Sequence, residues 1–293
     1  KILKMKYFKI SNFYPYWFLI PSSLIFLTFF FIPTISSFYF SLTRWNFFGI
    51  KFIGFENYYQ FFSEAALYSS VINTLIFACL SSGLKVILGL LLAVLLSSNI
   101  YFKNFLRPMV FFPAIVSTIG IGVTFKAIMD PWDGLINMSL LHIGITGPEW
   151  TTNPDLAIFS IMLVEVWKGV GIATLIFIAG IAAIPRDYYE AAQIDGATKI
   201  QQFFKITVPM VHQATTVVII LSFIGGLRTF DMVMAMTGGG PGFASEVLSS
   251  SIFRNYAQGF FGLSTTGNVI LLLLVLLLIM PIIYFLNKRE IEQ

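Results

Sequence analysis

The chain has 293 residues, of which 57% are hydrophobic and only 11% are charged, and its formal net charge is +4. Soluble domains carry about a quarter charged residues, so this composition excludes an ordinary water-soluble protein and indicates one that lies in a membrane. The single cysteine excludes a disulfide framework, and the two histidines, His142 and His212, are far apart, so we expect no metal site. The small net charge does not indicate nucleic-acid binding.

Six apolar segments are long enough to cross a bilayer, which requires roughly 20 mostly apolar residues. The first has a long apolar core that prolines interrupt, so we do not expect it to be a cleavable signal peptide. We therefore predict an all-α integral membrane protein with one transmembrane domain over residues 1–293. The predicted spans are residues 18–40, 71–97, 106–129, 156–184, 211–236 and 263–286.

Lysine and arginine residues predict the orientation of these spans, because they concentrate on the cytoplasmic side. If the N-terminus is inside, the inner segments carry 11 of the 18 basic residues and the outer segments carry 5, while Lys85 and Lys168 lie within spans. Both termini are therefore predicted to be cytoplasmic. The segment 185–209, between the fourth and fifth spans, is predicted to lie on the same side.

Charged residues also occur inside the predicted spans, where each costs on the order of 2.5 to 3.5 kcal/mol unless it is paired or hydrated. Glu165 and Lys168 have i,i+3 spacing, as do Arg228 and Asp231, so each pair is predicted to share a helix face. At about 1.5 Å per residue, both pairs fall roughly 12 to 13 Å from the outer end. They are either structural ion pairs or a polar layer along a translocation path. Lys85 has no local acid, and we expect it to extend to the inner interface or to bond to another helix.

Several catalytic motifs are absent from the sequence. It contains no G-x-x-x-x-G-K-[ST] phosphate loop, no H-E-x-x-H and no G-x-S-x-G, so an enzyme is disfavoured. Many spans with polar residues at depth favour transport. These facts alone leave open a secondary transporter driven by an ion gradient, and also a structural membrane protein.

The segment EAAQIDGATKIQQFFKITVP, residues 190–209, is unusually polar for this chain. Pro185 and the acidic residues that follow it predict a short helix, which Gly196 ends at an elbow with positive φ. A second helix is predicted to restart at Thr198, and Pro209 precedes the fifth span. The segment is either a surface hairpin without partners or an arm that fits a groove in a cytoplasmic partner.

The motif within residues 190–209 is E-A-A, three residues, G, nine residues and I-x-x-P. It resembles the cytoplasmic loop of permease subunits of binding-protein-dependent ABC importers, in particular the maltose- and glycerol-phosphate-type carbohydrate permeases. The sequence TGGGPG at residues 237–242 resembles the first of the two permeases that such systems pair. The similarity extends through nearly the whole chain.

The resemblance implies a type I permease fold with a cytoplasmic coupling helix, in a multi-pass protein of the bacterial cytoplasmic membrane. It implies a second related permease, two cytoplasmic ATPase subunits, an extracytoplasmic solute-binding protein and a saccharide substrate, with membrane lipid around the chain. The ATPases would bind ATP, so the chain itself would need no cofactor and would have no catalytic residues. No nucleic acid is expected.

The resemblance also implies site residues. Glycines in the fifth span stand where the maltose-type permeases have large aromatic and amide side chains, which implies a wider or differently shaped cavity. The residues implied for coupling to the ATPase are Tyr188, Glu190, Ala191, Ala192, Asp195, Gly196 and Ala197. The substrate path is assigned to Thr118, Glu165, Lys168, Gly169, Ser222, Gly225 and Gly226, with Arg228 added from the polar layer.

Overall fold

The computed structural model describes residues 16–98 and 100–291, with side chains described for 17–98 and 100–286. The four lysines before residue 10, which contribute to the orientation argument, lie outside this part of the chain. Four helices are long and apolar enough to cross a membrane, namely Trp17–Ser41, Ala65–Ser97, Pro154–Ala182 and Phe261–Leu286. Two sharply bent helix pairs raise the number of spans to six if each pair is one span.

The described elements are mostly helical, with one small hairpin. The α-helices are α1 Ile20–Phe26, α2 Ile32–Ser41, α3 Glu56–Ser63, α4 Ala65–Ser97, α5 Lys103–Ile115, α6 Thr118–Ile128, α7 Leu135–His142, α8 Pro154–Ala182, α9 Arg186–Ile194, α10 Lys199–Gln202, α11 Val208–Met210, α12 His212–Leu227, α13 Asp231–Met236, α14 Leu248–Ala257 and α15 Phe261–Ile291. Strands β1 Thr43–Asn46 and β2 Gly49–Phe52 pair antiparallel.

The first span is continuous but not uniform. A π-helical turn, Leu27–Phe31, joins α1 to α2, and the N–H of Ile32 bonds to the carbonyl of Leu27. Pro33 follows directly and has no N–H to donate, so a wider turn here accommodates the missing bond. The helix therefore passes through its prolines without a break.

The third predicted span is not one straight helix. Its two parts, α5 and α6, meet at 97°. Pro113 has no N–H to donate in the last turn of α5. Ser117 caps the start of α6, where its Oγ accepts from the N–H of Gly120 at 3.5 Å. The prediction of a single helix over residues 106–129 is therefore wrong in its geometry.

The fifth predicted span also ends earlier than expected. Helix α12 stops at Leu227, and a separate short helix, α13, covers the remainder of the predicted span. Directly before α12, the unit Lys199–Met210 is bent by 69° relative to it. Helix α13 packs on α6, where a Cβ built on Gly122 would lie 2.5 Å from the Cβ of Ala235.

The centre of the molecule is α4, which packs along α8 and α12. Glycine makes these close approaches possible, because an added Cβ on Gly89 would lie 2.8 Å from the Cβ of Ala173. Phe77, Ile161 and Phe177 are fully buried in this region. Small residues at helix contacts therefore set the distances between the helices that carry the predicted site residues.

Candidate functional site

Helix α9 begins the segment between the fourth and fifth predicted spans. Pro185 precedes it in extended conformation, with ψ 136°, and Asp187 lies in its first turn. An acidic side chain there interacts favourably with the positive end of the helix dipole. The sequence therefore places a short, independent helix directly after α8.

A complete Schellman motif ends α9. The N–H of Ala197 bonds to the carbonyl of Ala192 at 2.8 Å, and the N–H of Gly196 bonds to that of Gln193 at 3.0 Å. Gly196 has φ +76°, with no atom near the position of an added Cβ. The predicted positive φ is confirmed, and only the backbone conformation demands glycine here.

A capping box starts the next helix two residues later. Thr198 Oγ1 accepts from the N–H of Gln201 at 3.3 Å, and Gln201 Oε1 accepts from the N–H of Thr198 at 2.8 Å. The predicted restart at Thr198 is confirmed. Helix end and helix start follow each other directly, so hydrogen bonds on both sides define the elbow.

The residues predicted for coupling lie on the surface of this elbow. Helix α9 has no buried residue, and Tyr188 and Ile194 are 54% and 88% exposed. Glu190, Ala191, Asp195 and Gly196 are exposed, whereas Ala192 and Ala197 are half-buried. The structure therefore brings all seven residues to one exposed segment.

Residues that the sequence did not single out hold α9 in place. The hydroxyl of Tyr189 is 2.9 Å from Thr207 Oγ1, and Tyr189 and Ile206 pack against the same buried cluster. Gln202 is almost fully buried and donates to the carbonyl of Ala197 at 3.2 Å. The adjacent tyrosines Tyr188 and Tyr189 could have indicated this anchor, because only one of two neighbouring helix positions can face the core.

The polar layer is paired differently from the prediction. Glu165 does not pair with Lys168; its Oε1 lies 2.8 Å from Nζ of Lys85, on α4. The side chains of Lys85 and Glu165 are 6% and 19% exposed. The intrahelical pairing is therefore wrong, and the expected bond from Lys85 to another helix is confirmed.

The two path glycines nearest this layer lie at helix contacts. A Cβ on Gly169 would lie 2.6 Å from Cε of Lys85, so this glycine makes room for the lysine. A Cβ on Gly226 would lie 2.7 Å from Cα of Ala78. Gly225 is exposed with nothing within 4 Å, and Ser222 is half-buried. Gly169 and Gly226 thus pack helices, whereas Gly225 leaves open space.

Arg228 lies just beyond α12 rather than within a span. It is exposed, and Asp231 is not within 4 Å of it, so the second predicted ion pair is also wrong. Because α12 stops at Leu227, the assumed helical spacing of the pair does not apply. Arg228 instead borders a cavity of about 450 Å³ with aromatic and hydrogen-bonding side chains, among them Phe230, Phe253, Tyr256 and Asn268.

Thr118 is the first residue of α6, at the break of the third span, and it is half-buried. Further along α6, the ring of Phe125 lies 5.1 Å from that of Trp167 on α8. Trp167 is 47% exposed and next to half-buried Lys168. This aromatic pair was not predicted from the sequence as part of the substrate path. An exposed tryptophan beside a charge nevertheless offers a surface for stacking and hydrogen bonding.

The residues that follow TGGGPG are bound to α4. The amide of Asn73 donates to the carbonyls of Ala244 and Glu246 at 2.8 and 3.0 Å. Glu246 is 1% exposed and pairs with Arg254, whose guanidinium lies 4.2 Å from the ring centroid of Phe243. Burial lowers the pKa of Arg254. The residues after TGGGPG therefore connect this loop to the central helix.

A family model decides the class of protein. The model described as "Binding-protein-dependent transport system inner membrane component" matches residues 85–292, more than half of the chain. The chain belongs to this family. It is the permease of an ABC importer, a multi-pass subunit of the inner membrane.

Curated relatives agree with this assignment over most of their length. The permease is 34% identical over 284 residues to the probable ABC transporter permease protein YurN of Bacillus subtilis, covering 94% of this chain and 97% of the relative. It is 35% identical to the trehalose/maltose transport system permease protein MalF of Thermococcus litoralis, covering 87% of each. It is also 35% identical to the arabinooligosaccharides transport system permease protein AraP of Bacillus subtilis, covering 74% and 70%.

Solved structures show the same fold. A chain of a bacterial ABC transporter involved in the import of the acidic polysaccharide alginate superposes with a TM-score of 0.83 at 22% identity, covering 96% of both chains. The predicted type I permease fold is confirmed.

Proposed function

We propose that this permease carries a saccharide through the cytoplasmic membrane, in a complex with a second, related permease. The sugars named for the relatives MalF and AraP support a carbohydrate substrate. The ion-gradient alternative receives no support from these relatives. The exposed elbow on α9 is the main support for the proposal, because a transporter that works alone has no partner for such an arm to contact.

In this proposal the inner segment is cytoplasmic and α9 docks in a cleft of one of two separate ATPase subunits. Those subunits bind and hydrolyse ATP, so the permease itself needs no cofactor. Tyr189 anchors the inner side of α9, and Tyr188, Glu190 and Ala191 face the partner. The Schellman motif and the capping box fix the backbone of the elbow. A movement of the ATPases would therefore displace α9 and the start of α12 together, with little bending between them.

At the other side of the membrane, an extracytoplasmic solute-binding protein would deliver the sugar. Hydroxyl groups of a saccharide need hydrogen-bonding side chains and flat aromatic surfaces. Trp167 and Lys168 on α8, and Arg228 beside its aromatic cavity, offer such groups. At exposed Gly225, no atom lies within 4 Å of the position of an added Cβ, so open space adjoins this residue. We propose that these residues border the sugar path.

Co-purification tests the docking role. The tagged permease is expected to isolate with a second permease and an ATPase pair. Glu190→Lys should insert normally in the membrane but retain much less ATPase, since it reverses a charge at the proposed contact. Lys103→Glu, a charge reversal outside α9, is the matched control. Normal ATPase content and normal coupled uptake in Glu190→Lys would contradict the docking role.

A further inference from the structure

A cavity of about 560 Å³ lies behind the coupling segment, on the side away from the exposed face of α9. It is enclosed by the end of α4, the start of α5, the end of α8 and the segment from α9 to the π-helical turn Phe203–Thr207. We call it the inner cavity. The function proposed above gives this cavity no role.

Three basic residues from three helices border the inner cavity. They are Arg107 on α5, Arg186 on α9 and Lys199 on α10. No acidic residue is among its described lining residues, and none of the three cations is within 4 Å of a carboxylate of residues 17–98 or 100–286. Like charges that converge without a counter-charge repel one another, so the cavity favours an anion.

Arg107 adds a geometric argument. One of its Nη atoms donates to the carbonyl of Leu96 at 3.0 Å, which fixes the guanidinium at the end of α4. Its Nε is buried and has no hydrogen-bond partner among the described residues. Buried donors are nearly always satisfied, and a guanidinium suits a phosphate group because it donates in a fixed fork.

The remaining lining selects among anions. Ile178, Ile181 and Phe203 form apolar wall, while Ser97 and Thr207 add hydroxyls. The cavity lies where α4 and α8 end, which is the depth of lipid headgroups for helices that span a bilayer. Basic pockets between transmembrane helices on the cytoplasmic side are suited to anionic lipid headgroups.

We propose that the inner cavity binds a phosphate group, that of an anionic phospholipid whose acyl chains follow the apolar wall. Because Arg107 belongs to α5 while Arg186 and Lys199 belong to the coupling segment, the ligand would tie that segment to the membrane body. Lipid composition would then regulate how movement of α9 reaches the spans. The inference rests on the cytoplasmic orientation in the proposed function.

The test measures lipid retention by the full-length permease, using native mass spectrometry after purification with phosphatidylglycerol or phosphatidylcholine. Arg186→Gln and Lys199→Gln are chosen because both side chains are exposed, so the fold should persist. Each is expected to weaken phosphatidylglycerol retention about fivefold, and the double variant about 25-fold. Lys103→Gln is the control, because Lys103 is a basic residue of α5 that does not line the cavity. It should change the retention of phosphatidylglycerol less than about twofold.

Competition identifies the source of the phosphate. If millimolar glycerol 1-phosphate displaces phosphatidylglycerol in a manner that Lys199→Gln abolishes, the natural ligand is a soluble phosphate compound. If it does not, the ligand is the lipid. Equal losses in Lys103→Gln and Lys199→Gln, or equal retention of phosphatidylcholine, would overturn the proposal. This readout needs neither ATPase nor transport, so its failure is distinct from failure of the proposed function.

Discussion

The ion pair between Lys85 and Glu165 gives a prediction that can be worked from the structure. Lys85→Met leaves the carboxylate of Glu165, only 19% exposed, without its partner. Removing one member of a buried pair costs about 3 to 5 kcal/mol, and the partial exposure of Glu165 favours the lower value. For a chain of this length, about 3 kcal/mol corresponds to a fall in Tm of about 6 to 12 °C.

The double variant Lys85→Met/Glu165→Leu should recover most of that loss, because it strands no charge. Thermal unfolding in detergent, followed by tryptophan fluorescence, measures the double variant and the two single variants, Lys85→Met and Glu165→Leu. Arg44→Met is the control, since it breaks an ion pair whose side chains are 63% and 62% exposed and should cost at most about 1 kcal/mol. A double variant that loses the sum of both single losses would refute coupling between the two residues. If the double variant is stable but transports poorly, Glu165 also serves the substrate.

Three further predictions concern orientation, the elbow and the path. A reporter fused after Lys205 should read cytoplasmic and one after Gly242 external; reversed reporters would defeat the docking role. Gly196→Val should lower the free energy of unfolding by about 1–2 kcal/mol, because residue 196 has a positive φ, and should uncouple ATP hydrolysis from uptake. Gly196→Asn should have a smaller effect on both. Equal coupled uptake in the two variants would contradict the role of the elbow. Lys168→Ala and Arg228→Ala should lower uptake while the complex assembles normally, and normal uptake in both would remove them from the path.

Local sequence signals predicted the elbow well. Gly196 and Thr198 act through backbone conformation and hydrogen bonds to residues at most five positions away. Such interactions depend on spacing alone, so the sequence contains what is needed to predict them. Four of the six apolar runs likewise corresponded to single helices of membrane length, and the third corresponded to the bent pair of α5 and α6. The fifth did not, because α12 reaches membrane length only together with Lys199–Met210, which lies before the predicted span.

Interactions between distant segments could not be predicted in the same way. Lys85 and Glu165 are 80 residues apart, and their pairing depends on how α4 and α8 are rotated against each other. The i,i+3 spacing made Lys168 the nearest basic residue to Glu165 in the sequence. That spacing contains no information about Lys85 on another helix. Similarly, α12 and α13 are both apolar, so the predicted span was continued across the polar residues between them, and the break that moves Arg228 out of the helix was not predicted.

The contact between α6 and α13 has a consequence for how these two helices can move. Each is a half-length helix that begins after a break, and Gly122 against Ala235 allows no gap between them. Packed cores shift as units rather than deform, so this pair should behave as one rigid body with two hinges, near Ser117 and near Arg228. Any movement of this pair relative to α4 and α8 then requires rotation about two short linkers.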